Sequence, residues 1–366
     1  MFTLTLNATK KKIAQISKFY PPYKGGIELV AQMISRAHEN DHVEIVSFGE
    51  KDNEYIGDFG EVVHQKKMDY FIMSTPISLD LIFHPEDLLR LKSFDKIYIH
   101  IQNPFIHVWL FVFYWLFRES GVKLVCVYHS DIVKGVIGHI FDTFFIMTSF
   151  IYDEFIVSSP KIKKHSNILK HIDNGLIKVN PFPVYGEERF IHKDSFRKKL
   201  LAIGRMVPYK GFAFLVDVIN KYPEYDLHLI GSGPLLDELK KKAAHNVTFH
   251  GRVSEELKEE LLENADVLIV PSLTKAEAYG MISVEAFQKS IPVIASNINT
   301  GVTYLVQNMK TGLVFEPLDE RGLIKCLKAL EDEKTFKGLK EGCFNFYKNT
   351  LIFEKFQERL VEERSL

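Results

Sequence analysis

Cysteine is scarce: Cys126, Cys326 and Cys343 stand far apart in 366 residues and form no CxxC pair. That excludes a disulfide framework and a cysteine zinc site, and fits a reducing cytoplasm. Neither sign of charge dominates, since 46 Lys and Arg stand against 47 Asp and Glu for a formal charge of −1. Neither a disordered chain nor a protein built to bind nucleic acid is indicated. A bilayer-crossing run is also missing. The longest nearly apolar stretch, Phe105–Phe117 (FIHVWLFVFYWLF), has 13 residues with His107 inside it, against the ~20 that a spanning helix needs. It reads as a buried helix of a large α/β domain, or as a surface that leans on lipid. The opening MFTLTLNATKKKIAQIS puts its basic cluster after a short apolar stretch and shows no cleavage site, so no secretion signal is expected. Finally, no aspartate has a second aspartate two positions on, so no Asp-x-Asp metal motif is present.

What is there is a chain of ordinary globular composition, 46% hydrophobic and 25% charged. Its length exceeds the ~250–300 residues at which a single core stops growing, so two domains are expected. Short apolar runs rich in β-branched residues alternate with helical stretches. The runs are Lys12–Ser17, His42–Phe48, Asp95–Ile101, Val122–His129, Glu154–Ser158 and Ile177–Asn180, the pattern of a parallel sheet. Asn180–Arg189 then interrupts the pattern with two prolines and a glycine, as a linker would, and the boundary is placed near residue 190. A second alternating series follows, through Lys199–Gly204, Asp226–Ile230, Val247–His250, Asp266–Val270, Pro292–Ser296 and Leu313–Phe315. Among its helices, the one after Ser254 has that residue as a natural N-cap. The tail from Asp332 carries no strand signal and reads as two or three helices. Two Rossmann-like domains of this kind bind ligands beyond the carboxyl ends of their strands.

The segments at those ends carry the chemistry. Pro271–Phe287 (PSLTKAEAYGMISVEAF) follows a strand and opens a helix near Gly280. The N–H groups of Gly280, Met281 and Ile282 are then donors at a helix start, suited to phosphate. Glu277 in the loop and Glu285 one turn into the helix suit sugar hydroxyls; a solvated loop acid and an early-helix acid favoured by the dipole would read the same. Gly204–Gly211 (GRMVPYKG) places Arg205 and Lys210 at a strand end, where two cations suit a diphosphate or are simply solvated. Gly231–Pro234 (GSGP) is only part of a dinucleotide fingerprint. Tyr20–Glu28 (YPPYKGGIE) follows the first strand, and Gly25 and Gly26 let backbone come close to a phosphate at a helix start, as a structural turn would also require.

In this order and spacing the segments resemble the family 4 retaining glycosyltransferases of the GT-B fold, over nearly the whole chain. The resemblance rests on YPPYKGGIE, YHSD at Tyr128–Asp131, GRMVPYKG, GSGP, HGRVS at His250–Ser254, and EAYGMISVE at Glu277–Glu285, the family's E-x7-E element. It implies an α/β chain of two Rossmann-like domains facing across a cleft. These would be an acceptor domain over 1–189, a nucleotide-sugar domain over 190–345, and a last helix within 346–366 that crosses back onto the first. It implies that Arg205 and Lys210 bind the diphosphate, that Glu285 holds the ribose, and that Glu277 contacts hydroxyls of the transferred sugar with the amides after Gly280 beside it. Arg252 and Val253 would border the base near Gly231, Gly25 and Gly26 would close over the phosphates, and His129 would face the reacting sugar. Asp131 would cap the next helix. The chain departs from the family at Val179–Val184 (VNPFPV), where relatives often carry an Asn-Gly-Ile-Asp type segment.

The resemblance further implies no cofactor and no metal, retention by same-face attack, and a nucleotide sugar as donor. The YHSDI and EAYGMISVE contexts look most like bacterial surface-polysaccharide mannosyltransferases that use GDP-mannose. UDP-glucose, UDP-galactose and UDP-N-acetylglucosamine enzymes share the residue types, and a nucleotide-sugar hydrolase or epimerase, or a non-catalytic nucleotide-binding protein, stays open. The expected acceptor is a glycan or lipid-linked oligosaccharide of O-antigen or lipopolysaccharide assembly. Lys161–His165 and Lys170-His171 read as a basic patch of the first domain able to attract anionic lipid of the inner membrane, so the expected location is cytoplasmic and peripheral to that membrane.

Overall fold

A computed structural model of the chain describes residues 10–72, 75–101, 103–131 and 135–361. The chain divides into two compact units. The first takes the described residues up to Val157, Ser166–Asn180 and those from Gln357; the second takes Ser158–His165 and Pro181–Phe356.

The first unit holds β1 (Lys12–Ile16), β2 (His42–Gly49), β3 (Asn53–Ile56), β4 (Val62–Lys67), β5 (Tyr70–Ile72), β6 (Thr75–Ile77), β7 (Lys96–Ile101), β8 (Lys123–Tyr128), β9 (Glu154–Val157) and β10 (Ile177–Val179). Eight of them form one sheet in the order β10-β9-β8-β7-β1-β2-β4-β3, with β5 and β6 as a separate ribbon. Every pairing in the sheet is parallel except that of the edge strand β3. The strand order reverses at β1, which lies between β2 and β7. Helix α1 (Gly26–Ala37) turns Val30, Ala31, Met33, Ile34 and Ser35 inward, the one-sided pattern of a helix laid on a sheet. The apolar stretch Phe105–Phe117 is broken at Phe113 into the helices Pro104–Val112 and Tyr114–Ser120. Its Ile106, Trp109, Leu110 and Phe117 are buried, while Val108, Val112, Trp115 and Leu116 are exposed, so it is apolar on its solvent side as well.

The second unit holds β11 (Lys199–Ile203), β12 (Asp226–Ile230), β13 (Val247–Gly251), β14 (Val267–Val270), β15 (Val293–Ser296) and β16 (Gly312–Phe315). They form an all-parallel sheet in the order β13-β12-β11-β14-β15-β16, the 3-2-1-4-5-6 arrangement of a doubly wound nucleotide-binding sheet. β14 and β15 are buried along their whole length, as parallel strands covered on both faces must be. Leu200, Ala202, Leu227, Leu229, Val267 and Ile269 join Leu215 and Val216 of α2 (Phe212–Ile219) in one core. Helix α3 (Glu255–Asn264) is capped as its sequence suggests, the Leu257 N–H donating to Ser254 Oγ at 3.3 Å. Helix α4 (Met281–Gln288) follows the loop after β14.

The tail runs through the helix Glu333–Phe346 and a π-helical turn, Tyr347–Leu351, into α5 (Phe353–Val361). Phe356 and Leu360 are buried, and Gln357 Nε2 donates to Ala37 O at the end of α1 at 3.0 Å. The last residues of the expected terminal helix, 362–366, and the N-terminal nine lie outside the described residues. One expectation changes. The helix Pro160–His165 groups with the second unit, where Lys161 Nζ donates to Thr303 Oγ1 at 2.9 Å and Lys275 Nζ donates to His165 O at 3.3 Å. Lys170 and His171 group with the first unit, so the basic patch expected in one domain is divided between the two.

Candidate functional site

In an open parallel sheet, ligands gather beyond the strand ends where the order reverses. In the second unit that point lies between β11 and β14. The loop after β11 carries Arg205, which is exposed, and Lys210. Lys210 Nζ pairs with Glu277 Oε2, from the loop after β14, at 2.5 Å. Two hydroxyls hold the acid in place: Ser272 Oγ donates to Glu277 Oε2 at 3.3 Å, and Thr300 Oγ1 donates to Glu277 O at 2.8 Å. Gly280 is the residue before α4 and has φ 77°, a left-handed conformation that glycine adopts at little cost. A Cβ on it would lie 3.1 Å from Val302 Cγ2 and 3.9 Å from Glu277 Oε1. The Lys210-paired carboxylate therefore sits beside the start of α4, where the first N–H groups, those of Met281 and Ile282, have no carbonyl within the helix to bond.

The loops after β11, β12 and β13 are joined through their backbones. Gly231, with φ 132°, approaches so closely that a Cβ there would lie 1.9 Å from Gly204 O. Met206 N–H donates to Ser232 O at 2.9 Å and Gly231 N–H to Gly251 O at 2.7 Å. Arg252 Nε donates to Ser232 Oγ at 2.8 Å, and Val253 beside it is half-buried. Glu285, on α4, pairs with Lys258 of α3 at 2.8 Å, and Lys258 also holds Glu255 at 2.6 Å. Burial pushes the Glu285 carboxyl above its ordinary range against the pull of Lys258.

In the first unit, the exposed Gly25 and Gly26 open α1. The Glu28 carboxylate of the first turn folds back over them, so that a Cβ on Gly25 would meet Glu28 Oε2 at 2.3 Å. Burial pushes Glu28 up. His129, at the end of β8, is buried, and that burial pushes its imidazole down to about 3. Its Nε2 lies 3.0 Å from His100 Nδ1 on β7, and His100 Nε2 lies 3.1 Å from Gln15 Oε1 on β1.

The chain matches the family described as Glycosyl transferases group 1 over residues 186–343. It is 30% identical to D-rhamnosyltransferase WbpZ of Pseudomonas aeruginosa over 295 residues, 75% of this chain and 71% of that protein. The chain belongs to the group 1 glycosyl transferases. A second relative is O-antigen chain mannosyltransferase C of Escherichia coli, 26% identical over 85% of this chain and 86% of that protein. Among solved structures, sucrose-phosphate synthase from Thermosynechococcus elongatus is similar with a TM-score of 0.74 at 19% identity, covering 96% of this chain and 97% of that one. The apo form of the lipopolysaccharide outer core galactosyltransferase WaaB follows with 0.71 at 18% identity, covering 95% and 99%. The fold is GT-B.

Three residues that contact expected site residues directly or through one another, one in the second unit and two in the first, were not singled out from the sequence of this group 1 glycosyl transferase. Lys258 is the one cation in the acidic helix EELKEELLEN, and that isolation was its signal. Gln15 and His100 are polar side chains inside otherwise buried strands, where each must find hydrogen-bond partners. Asp131 accepts from Tyr128 OH at 2.5 Å, from Asn167 N–H at 2.8 Å and from Ser166 Oγ, and the residues between it and the next helix, 132–134, lie outside the described ones.

Proposed function

We propose that this group 1 glycosyl transferase moves a sugar of manno configuration, mannose from GDP-mannose in the first instance, onto a lipid-linked or oligosaccharide acceptor of O-antigen or lipopolysaccharide assembly. Transfer proceeds with retention and without a metal. The observation that carries the reading is the Lys210–Glu277 pair beside the start of α4, beyond the point where the strand order reverses. It sets a cation and helix amides, suited to a diphosphate, next to a carboxylate suited to sugar hydroxyls. The choice of sugar is supported by two relatives named for D-rhamnose and mannose. D-rhamnose is 6-deoxymannose, so both sugars have an axial hydroxyl at C2.

In this reading Arg205, Lys210 and the amides of Gly280, Met281 and Ile282 take the diphosphate, with Gly231, Gly25 and Gly26 giving close backbone approach. Arg252 and Val253 border the base, Glu285 the ribose, Glu277 the sugar hydroxyls, and His129 the reacting sugar. As the bond from the anomeric carbon to the diphosphate breaks, charge grows on the leaving phosphate and the sugar becomes oxocarbenium-like. The acceptor oxygen attacks from the same face, and its proton passes to the leaving phosphate. Fixed cations and amide dipoles aimed at that phosphate lower the barrier.

A lipid-linked acceptor accords with the apolar surface of the first unit. Val112, Trp115, Ile140, Met147 and Phe150 are 59% to 72% exposed, and Phe150 packs edge-on against Phe111 and Tyr114. Among the described residues no helix is long and apolar enough to cross a membrane, so attachment at the inner face of the cytoplasmic membrane would be peripheral.

Thermal shift against nucleotides tests the reading, since a ligand at 100 times its Kd adds about 2.7 kcal/mol of stability. GDP and GDP-mannose should raise the midpoint, and the anomeric NMR signals of the product should match the donor's configuration. Stabilisation by UDP and not GDP would overturn the donor assignment. Turnover of the donor to free sugar, with none passed to an acceptor, would make the chain a hydrolase.

A further inference from the structure

The side chains beneath His129 form a row across three adjacent strands, β1, β7 and β8, and end on α1. Gln15 Nε2 lies 3.1 Å from Ala31 O and 2.8 Å from Ser35 Oγ. A peptide carbonyl only accepts, so the Gln15 atom beside Ala31 is the nitrogen and its oxygen is turned to His100. That oxygen also only accepts, so His100 Nε2, 3.1 Å away, carries hydrogen. His100 is fully inside the unit, where a second proton on the ring is strongly disfavoured. Its Nδ1 is therefore an acceptor, and the donor to it at 3.0 Å is His129 Nε2–H. His129 is buried in the same way and holds one proton.

We propose that Gln15 and His100 are positioning residues that hold His129 in the tautomer carrying its proton on Nε2 and a lone pair on Nδ1. The hydrogens all point away from His129, toward α1. The row continues in that direction: Ser35 Oγ lies 2.9 Å from Tyr20 OH, and Tyr20 O–H donates to the buried Glu61 at 2.5 Å. The helix that opens at Gly26 thus sets, through Ala31 and Ser35, which ring nitrogen of His129 can accept. Resting on the transferase reading, the consequence is that His129, its one ring hydrogen held by His100, has none to donate to a phosphate oxygen, and any hydrogen bond at Nδ1 is received.

Two-dimensional 15N–1H NMR of the labelled full chain, with the His129 signals assigned by loss in His129→Gln, reads the tautomer directly. The expected result is a protonated Nε2 and an unprotonated Nδ1. A protonated Nδ1 overturns the proposal, whatever the enzyme transfers. His100→Asn keeps an acceptor amide in place of Nδ1 and should retain the tautomer and most of the activity. His100→Leu and Gln15→Leu, checked for a native circular dichroism spectrum, should show mixed tautomers and a kcat lowered ~10-fold or more, with KM for the donor little changed. Unchanged kcat in both Leu variants, with the tautomer lost, would overturn the positioning role. Absence of transfer from any donor would overturn the transferase reading and leave the tautomer measurement standing.

Discussion

Replacing Glu277 by Gln should separate nucleotide binding from transfer. The Glu277 carboxylate holds Lys210 at 2.5 Å, with side-chain exposures of 11% and 17%. Two unit charges ~4 Å apart attract by ~4 kcal/mol at the effective dielectric near a protein surface. Desolvation and screening leave a net of ~1 kcal/mol for a pair that keeps some contact with water. A diphosphate that takes Lys210 must displace that partner. Glu277→Gln removes the competitor and keeps the shape, so free GDP should bind as tightly as before, or up to ~5-fold more tightly. Transfer loses a charged partner for the sugar, worth ~1.5–3 kcal/mol, and kcat/KM for the intact donor should fall ~10–100-fold. Glu285→Gln should behave differently. It removes the charged acceptor assigned to the ribose and should weaken GDP and donor alike by ~10–100-fold, while Lys258 keeps Glu255 at 2.6 Å. Calorimetry with GDP and initial rates with GDP-mannose distinguish the two variants. Equal loss of GDP affinity in both, or undiminished transfer by Glu277→Gln, would refute the division of labour between these acids.

Other outcomes follow from the same geometry. Gly231→Ala sets a Cβ against Gly204 O at 1.9 Å in a backbone of φ 132°, and should lower the thermal midpoint by the equivalent of at least ~1–3 kcal/mol and weaken GDP binding; an unchanged midpoint would contradict the close approach of the two loops. Transfer should persist in excess EDTA, and activity lost there and restored by Mg²⁺ or Mn²⁺ would show that Arg205 and Lys210 do not carry the charge alone. Lys340, buried against Phe190 and Phe336 and donating to Ser290 O at 3.1 Å, is pushed by burial from 10.5 down to about 8, with the Lys193 charge adding to the effect. The folded chain gives up this proton before the unfolded chain does, so stability should rise with pH from about 8 toward 10.5. Lys193 is pushed down to about 8 in the same way, so Lys340→Met should show a smaller rise rather than none; denaturant midpoints at about pH 7 and about pH 10 measure it, and an equal rise in both proteins would refute it.

Much of the fold was legible from local pattern. Strands β1, β2, β7 to β9, β11, β12 and β14 to β16 are short, largely buried runs rich in Ile, Val and Leu, which parallel sheets covered on both faces demand, while the edge strands β10 and β13 have one buried residue each. Strands β3 (NEYI) and β4 (VVHQKK) were not legible, because they are largely polar, β3 mostly exposed at the sheet edge and β4 half-buried beside it, and they owe their extension to pairing with each other and with β2. The apolar stretch Phe105–Phe117 showed its composition but not which of its side chains would meet water.

What the sequence by itself determined is the set of strand ends and the residue types placed on them. Gly204–Gly211, Gly231–Pro234 and Pro271–Phe287, which holds Glu277 and Glu285, each follow a buried run directly, so a strand of that period delivers them to the end of the sheet wherever the sheet lies. Tertiary structure decided who meets whom. Lys210 is paired with Glu277, Glu285 with Lys258, and His129 with His100 and through it Gln15. The two steps of that last row span 29 and 85 positions of chain. Such partners share no local period or spacing. They come within hydrogen-bond reach only once β1, β7 and β8 lie side by side, and the position of a single proton on His129 is then set by a peptide carbonyl of α1.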